Sequence, residues 1–423
     1  MRVLWIVNIV FPEAQKLLTG KGVLSSSGGW LLGAAKELTN QPNIELMVAS
    51  PSPAVDSLII LQGDRVRYYL FPLGKGNHKR NSEYRQYWRN IHDQAQPDVI
   101  HIYGTEFSHG LAYVDECGAK NVVVSIQGLI SEIAKYYSLG LSKLQIIRQL
   151  SFGDLFRGSI LCEARKYKER GKLEEELLNK VEHVIGRTRF DHSHVWAINP
   201  IINYHFCNEI LRDEFYTGRW EYGSCHPQTI FFSQGNYPVK GLHFMLEALG
   251  IVKMHYPSVK MYVAGNDVTM RRNTLRGIYA YSGYGNYIKH LIRKHRLQNN
   301  VVFTGPYTAS QMKAALLDAN VFVCSSTIEN SPNSLGEAQI LGVPCIAAYV
   351  GGIPDMIANE QCGVLFRCED VVALAFHICR VFETSPMFDN TDMIEIARKR
   401  HDPFENTERL KSIYNELLYM NEI

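Results

Sequence analysis

No stretch of this 423-residue chain holds the roughly 18 consecutive apolar residues that a membrane-spanning helix needs. The first apolar run, Val3-Leu4-Trp5-Ile6-Val7-Asn8-Ile9-Val10, has one flanking Arg, an internal Asn and no small-residue cleavage site after it. It reads as a buried first strand rather than as a signal peptide. The nine cysteines (117, 162, 207, 225, 324, 345, 362, 368, 379) are odd in number and form no Cys-x-x-Cys, which argues against a zinc site or a disulfide framework and for reduced core thiols in a cytosolic protein. Charge excess is also missing: 44 Lys and Arg against 42 Asp and Glu leave +2, so a general polyanion binder is excluded. Gly-x-Gly-x-x-Gly is absent, which counts against a dinucleotide-dependent dehydrogenase. There is no repeat of solenoid period and no low-complexity tract.

What is present is alternation. Short apolar runs at Arg2–Val10, Ile44–Ala49, Val66–Leu70, Val99–Tyr103, Val122–Ile126 and His183–Ile185 alternate with helical stretches near Gly29–Leu38, Ser82–Gln94 and Ile160–Lys180. The scheme returns with strands at Thr229–Phe232, Lys260–Ala264, Val301–Thr304, Val321–Cys324 and Cys345–Ala347, separated by helices near Gly241–His255, Ser310–Leu317 and Ser334–Leu341. Such a pattern predicts parallel sheets covered on both faces, and its repetition predicts an α/β protein of two Rossmann-like domains. The length agrees with two cores. Periodicity lapses between Tyr204 and Pro227, which sets domains of about 1–210 and 211–402, and Leu410, Ile413, Leu417 and Leu418 lie at helical spacing near the end.

The most informative segment is Glu329-Asn330-Ser331-Pro332-Asn333-Ser334-Leu335-Gly336-Glu337. It joins an apolar strand to a helix, at the strand's carboxyl end, where α/β sheets bind ligands. With Ser334 as the N-cap, the first-turn N–H groups of the helix form an anion site. One acid before that site and one inside its first turn suit a ligand both polyhydroxylated and phosphorylated, such as a nucleotide sugar. The blander alternative makes Glu337 a partner of the helix dipole and Glu329 a solvated loop acid.

The residues that follow decide between these. Gly342-Val343-Pro344 and Gly351-Gly352-Ile353-Pro354 complete a pattern of acid, seven residues, acid-Ala, Gly-x-Pro, Gly-Gly-x-Pro. From Ser325 to Ile357 the chain resembles the signature of the family-four retaining glycosyltransferases, which have the GT-B fold. The resemblance implies two Rossmann-like domains facing one another across a crevice, with the terminal helix, about 403–423, crossing back to the first. It implies a nucleoside-diphosphate sugar as donor, bound by the second domain. Glu337 would hold the ribose hydroxyls, Glu329 and the loop amides around Asn330 would grip the sugar, and Asn333 is a further donor-binding candidate. The Ser334 and Leu335 N–H groups with Lys240, in Lys240-Gly241, would stabilise the diphosphate. Where relatives carry Gly-Arg before Lys-Gly, this chain has Gly235-Asn236; Arg187 is the candidate substitute. Gly28-Gly29, opening a helix after the first strand, matches the turn that faces the donor diphosphate and acceptor. Gln127 stands where many relatives place a His; it can hold a sugar hydroxyl but takes no proton at neutral pH. Glu106, His101 and His109 are nearby acceptor-side candidates. Glu329, Lys240 and Gln127 form the expected catalytic set. No metal site and no obligatory cofactor are expected, since no Asp-x-Asp occurs. The rivals are a GT-B nucleotide-sugar epimerase, a phosphorylase, for which no pyridoxal-phosphate lysine or phosphate site is identified, and a non-catalytic nucleotide-sugar-binding homologue.

Two further segments bear on partners. From Val268 to Leu317 there is no acid but eight Lys or Arg, including Arg271, Arg272, Arg276, Arg293, Lys294 and Arg296, with tyrosines at 279, 281, 284 and 287. Tyr136–Arg157 sets Leu139, Leu141, Leu144, Ile146, Ile147, Leu150, Phe152 and Phe156 among Lys143, Arg148 and Arg157. Both read as surfaces for anionic lipid headgroups or a phosphorylated acceptor. Relatives with lipid-linked acceptors use such elements at a membrane, so the expected partners are a donor, a saccharide or lipid-linked saccharide acceptor and an anionic membrane. The expected location is cytoplasmic, at the inner face. No nucleic-acid recognition motif accompanies the charge.

Overall fold

The computed structural model describes residues 1–20, 28–74, 84–270, 282–357 and 359–419. The chain forms two units. The first comprises Met1–Glu132, Lys166–Arg212 and His401–Ile423, and the second Ile133–Arg165 and Asp213–Arg400.

The first unit is built on an eight-stranded sheet of β1 (Arg2–Ile6), β2 (Glu45–Ser52), β3 (Ile59–Gln62), β4 (Val66–Pro72), β5 (Val99–Tyr103), β6 (Val122–Ser125), β7 (His183–Gly186) and β8 (Asn203–Phe206), in the order β3-β4-β2-β1-β5-β6-β7-β8. All pairs are parallel except β3 with β4. Successive side chains of a strand face opposite ways, and both faces of β1 are buried. Val3 and Trp5 enter one apolar cluster, Leu4 and Ile6 the other. The helix Pro403–Tyr419 adds Leu410, Ile413 and Leu417 to the first of these. Its Tyr414 hydroxyl accepts from Trp5 Nε1 at 3.0 Å and bonds His101 Nδ1 at 2.7 Å. The terminal helix therefore completes the first unit.

In the second unit β9 (Thr229–Phe232), β10 (Lys260–Ala264), β11 (Val301–Gly305), β12 (Val321–Cys324), β13 (Cys345–Ala348) and β14 (Val364–Phe366) form an all-parallel sheet in the order β11-β10-β9-β12-β13-β14. The chain runs outward from β9 through β10 to β11, then returns to lay β12 on the other side of β9. That reversal is a topological switch point, where the loops after two adjacent strands part and leave a ligand crevice. The first unit has its own between β1 and β5.

The structure departs from the sequence reading at several elements. β1 ends at Ile6 rather than Val10, because Phe11-Pro12 opens a helix, Pro12–Thr19. β3, β8 and β14, unread in the sequence, are short and lie at or next to sheet edges, and β3 and β8 are partly exposed. Residues 133–165 fall inside the span expected for the first domain but cluster with the second unit, where Leu141 and Ile146 join the apolar core of Leu242, Met245, Tyr284 and Ile288.

Candidate functional site

Two loops meet over the switch point of the second unit. The loop after β9 carries Lys240 and the loop after β12 carries Glu329. They are stitched together below their tips: Thr327 N donates to the Val239 carbonyl at 2.7 Å and Ser325 Oγ to the Gly241 carbonyl at 3.0 Å. The approach is so close that a Cβ on Gly241, which has φ +70°, would lie 1.8 Å from the Ser325 carbonyl oxygen. Only glycine satisfies both the left-handed backbone and the contact. Above the stitch Lys240 Nζ lies 2.6 Å from Glu329 Oε1, with side chains 21% and 14% exposed. Ser326 Oγ donates to the same oxygen at 2.8 Å. Burial alone would lower the Lys240 pKa, but the Glu329 carboxylate, with Tyr237 beside it, more than reverses this and holds the ammonium well above the ordinary lysine range.

Glu329 is held from behind by the Gly-Gly turn. Gly352 N donates to the Glu329 carbonyl at 3.0 Å. A Cβ on Gly351 (φ +51°) would sit 1.9 Å from that carbonyl oxygen. The two glycines thus shape the backbone that presents the acid.

The helix Asn333–Leu341 begins beside this pair, and from Leu335 to Leu341 every residue is buried. Glu337 and Gln339 are buried in it along with the apolar residues, so this helix lies inside the domain. Its N-cap is Pro332 rather than Ser334. The extended proline turns its carbonyl to accept from Leu335 N at 2.9 Å and Gly336 N at 3.3 Å, so the Leu335 amide already has a partner in this structure. Ser334, in the first turn, accepts from Ser233 Oγ at 3.3 Å. Since the helix starts at Asn333, Glu337 lies one turn in rather than inside the first turn. It shares a face with Asn333 four residues earlier. Glu337 is 3% exposed and Asn330 is buried. Both acids of the motif are thus held in the protein rather than turned to solvent.

The first-unit candidates fall into two groups. Gln127 and Arg187 line a cavity of about 40 Å³ together with Trp30, Tyr103, His101 and Glu209. Arg187 is buried, paired with Glu209 Oε2 at 2.6 Å, and donates to the carbonyls of Ile126 and Gln127 at 3.2 and 3.1 Å. It anchors the chain just after β6. Gly28 caps the helix Gly29–Thr39 with φ +76°, and Gly29 packs beneath Arg212. The preceding Ser25, Ser26 and Ser27 lie outside the described residues, as do Arg271, Arg272, Arg276, Tyr279 and Tyr281. His101 is buried between Tyr414 and Ser125 Oγ, 2.6 Å from Nε2, and burial lowers its pKa to about 3.

The second group follows β5. Burial pushes the Glu106 carboxyl up to about 7, its own backbone N–H opposes this, and nearby Glu174 adds to the rise. Glu174 is wholly buried and accepts from Thr105 Oγ1, from Ile130 N and Ser131 N, each at 2.9 Å, and from Ser131 Oγ at 2.7 Å. It ties the loop after β5 to the helix that follows Gln127. His109 is 4% exposed, edge-on to Tyr84, and burial lowers its pKa to about 4. It is packed in the core and does not offer a ring to an acceptor.

Comparison with known proteins bears on the second unit above all. Residues 220–400 match the family described as glycosyl transferases group 1. That segment lies wholly within the second unit and is less than half of the chain, a likeness of this unit to the group 1 glycosyltransferases. The chain is 24% identical over 184 residues to a putative colanic acid biosynthesis glycosyltransferase of Escherichia coli K12, covering 42% of this chain and 41% of that one. It is 23% identical over 179 residues to glycogen synthase of Mycobacterium tuberculosis, covering 41% and 39%. The chain thus spans about two fifths of the length of these curated relatives. Among solved structures, sucrose-phosphate synthase from Thermosynechococcus elongatus superposes with a TM-score of 0.74 over 99% of both chains at 15% identity. Anabaena HepE in complex with UDP-glucose gives 0.65 over 98% of this chain and 100% of that one, also at 15%. These likenesses show the fold, two Rossmann-like α/β domains of the GT-B kind.

The loops over the second unit's switch point also hold residues that sequence reasoning missed. Ser326 bonds Glu329, Ser325 and Thr327 stitch the loops, and Ser233 reaches Ser334. A run Ser325-Ser326-Thr327 straight after an apolar strand, buried throughout, was the available signal. Glu209 and Glu174 had none, because their partners lie far away in the chain.

Proposed function

We propose that this protein is a retaining glycosyltransferase that moves a sugar from a nucleoside-diphosphate donor to an acceptor hydroxyl. The observation that carries the reading is the Lys240–Glu329 pair over the switch point, beside the mouth of the helix Asn333–Leu341 and one turn from buried Glu337. Without donor the cation is neutralised by the acid. On binding, the diphosphate takes Lys240 and the sugar hydroxyls take Glu329, so each finds a partner of the right sign. Glu337 and Asn333 hold the ribose side, and the Ser334 amide at the helix mouth faces the phosphates. The departing diphosphate is the charge to be stabilised, and oriented amides with one ammonium serve that need. Its own oxygen accepts the proton of the acceptor hydroxyl on the face the leaving group vacates, which retains configuration. No divalent cation is obligatory in this scheme.

Neighbouring structures support the donor class: HepE is solved in complex with UDP and with UDP-glucose, and TarM with UDP and α-GlcNAc-glycerol. We place the acceptor side on the first unit, at Gly28-Gly29, Gln127 and Glu106. The acceptor is a saccharide or lipid-linked saccharide of bacterial polysaccharide or glycolipid synthesis, used at the cytoplasmic face of a membrane. Among the described residues no helix is long and apolar enough to cross one.

Calorimetric titration with a panel of nucleotide sugars, followed by nucleoside-diphosphate release with and without acceptors in EDTA, tests the proposal. Acceptor-dependent release is expected. Epimer or free sugar from donor alone points to the epimerase, and binding without turnover to a non-catalytic homologue.

A further inference from the structure

The segment between Tyr136 and Leu161 is unusual in what it leaves outside. Leu144, Ile147, Leu150, Phe152, Leu155 and Phe156 are between 44% and 75% exposed. They come from two short helices, Lys143–Arg148 and Phe152–Arg157, and, for Leu150, from the turn between them, and the rings of Phe152 and Phe156 lie 5.1 Å apart. A contiguous apolar surface of this kind is uncommon on a soluble domain and marks an interaction site.

This surface is held in place. Ser142 with Gln145 and Ser151 with Asp154 form capping boxes. Leu141 and Ile146 anchor the segment in the core of the second unit. Asp154 Oδ2 accepts from Gly283 N at 2.8 Å, and the Gln149 carbonyl accepts from Asn286 Nδ2 at 2.9 Å. The apolar side chains are thus presented by an ordered scaffold, while other side chains of the same turns face inward.

Charge selects the occupant. From Ile133 to Cys162 the sole acid in the sequence is Asp154, which is buried and bonded to Ser151 N and Gly283 N. Lys143 and Arg148 are exposed among the apolar residues. The helix packed against them, Gly283–Lys294, contains no acid and ends in exposed Arg293 and Lys294. Apolar side chains with Lys143 and Arg148 among them, and no exposed acid in the segment or in the helix Gly283–Lys294, match a surface of anionic headgroups over acyl chains.

We infer that residues 142–157 are a docking element by which the second unit sits on an anionic lipid bilayer, the apolar side chains entering the acyl boundary and Lys143 and Arg148 meeting headgroup phosphates. The inference deepens the membrane-face reading given above and assigns the contact to the unit whose residues 220–400 resemble the group 1 glycosyltransferases. It does not depend on sugar transfer.

The test is co-sedimentation of the full chain with vesicles of equal parts phosphatidylcholine and phosphatidylglycerol. Binding is expected to these vesicles and not to phosphatidylcholine alone. Leu155→Ser with Phe156→Ser, at exposed positions, should abolish it. Lys143→Gln with Arg148→Gln should weaken it about thirtyfold, and salt should reproduce that loss. Nucleotide binding by calorimetry should be unchanged in both variants, which shows them folded and separates this result from failure of the glycosyltransferase reading. Absence of vesicle binding by the wild type, or equal binding by the serine variant, overturns the inference. So does a dimer that the serine variant dissolves when no vesicle binding is seen, since the face would then belong to a second copy.

Discussion

Lys240 and Glu329 form a contact 2.6 Å long that is only partly shielded, and the chemistry proposed here requires that it open. Their roles then separate from that of Glu337. Glu337→Ala should weaken nucleotide binding with little change in kcat, and Glu329→Ala should chiefly lower kcat, by about a hundredfold or more. Paired calorimetry and steady-state kinetics distinguish them; equal effects on both parameters would refute the division. Glu106 makes a different prediction. Its folded carboxyl titrates near 7 against an unperturbed 4.5, so the native state holds a proton that the unfolded chain has released. Its contribution to stability is full below the unfolded value and is lost as pH rises through about 7. The wild-type melting temperature should therefore fall over that interval more steeply than that of Glu106→Gln. The two motif acids, Lys240 and the Gly-Gly turn were legible in the sequence because one local pattern contains or names them. The pairing of Arg187, the candidate substitute cation, with Glu209 was not legible, because nothing near either residue signals it.

At the level of elements, most strands that the sequence revealed are buried on both faces, β12 and β13 among them, whose apolar runs are unbroken. β3 and β8 were missed because their residues are partly exposed and polar in part, and β14 because it is only three residues long. Several helices were missed as well, Val371–Thr384 among them. The N-cap of the helix Asn333–Leu341 was displaced from Ser334 to Pro332 because a proline carbonyl can accept the first-turn amides without any side-chain help. The stitch between the loops after β9 and β12 makes its own prediction. In Gly241→Ala a Cβ must enter a left-handed position and meet the Ser325 carbonyl. The left-handed backbone alone costs about 1–2 kcal/mol, and relief of the contact must move Lys240 away from Glu329. Urea denaturation should show the loss of stability, and donor affinity should fall with it.

For the whole molecule, the division into two α/β halves was legible from repeated alternation. The membership of residues 133–165 was not, because nothing local distinguishes an element that packs on its own half from one that packs on the other. Leu141 and Ile146 belong to the apolar core of the second unit. A fragment of residues 213–400 should therefore be markedly less stable than the same fragment with residues 133–165 joined to it, as measured by thermal melting. Similar stability would show that the segment is a passenger. The connectivity also bears on synthesis. The chain passes between units at 132/133, 165/166, 212/213 and 400/401, so a segment made after the whole of the second unit returns to the first. Trp5 and His101 must wait for Tyr414, and the ribosome has made every residue of the second unit before that hydroxyl arrives. In this protein the later-encoded half has all its parts first, and the nascent sheet of the first unit stays uncapped, a client for chaperones, until the helix Pro403–Tyr419 has been made.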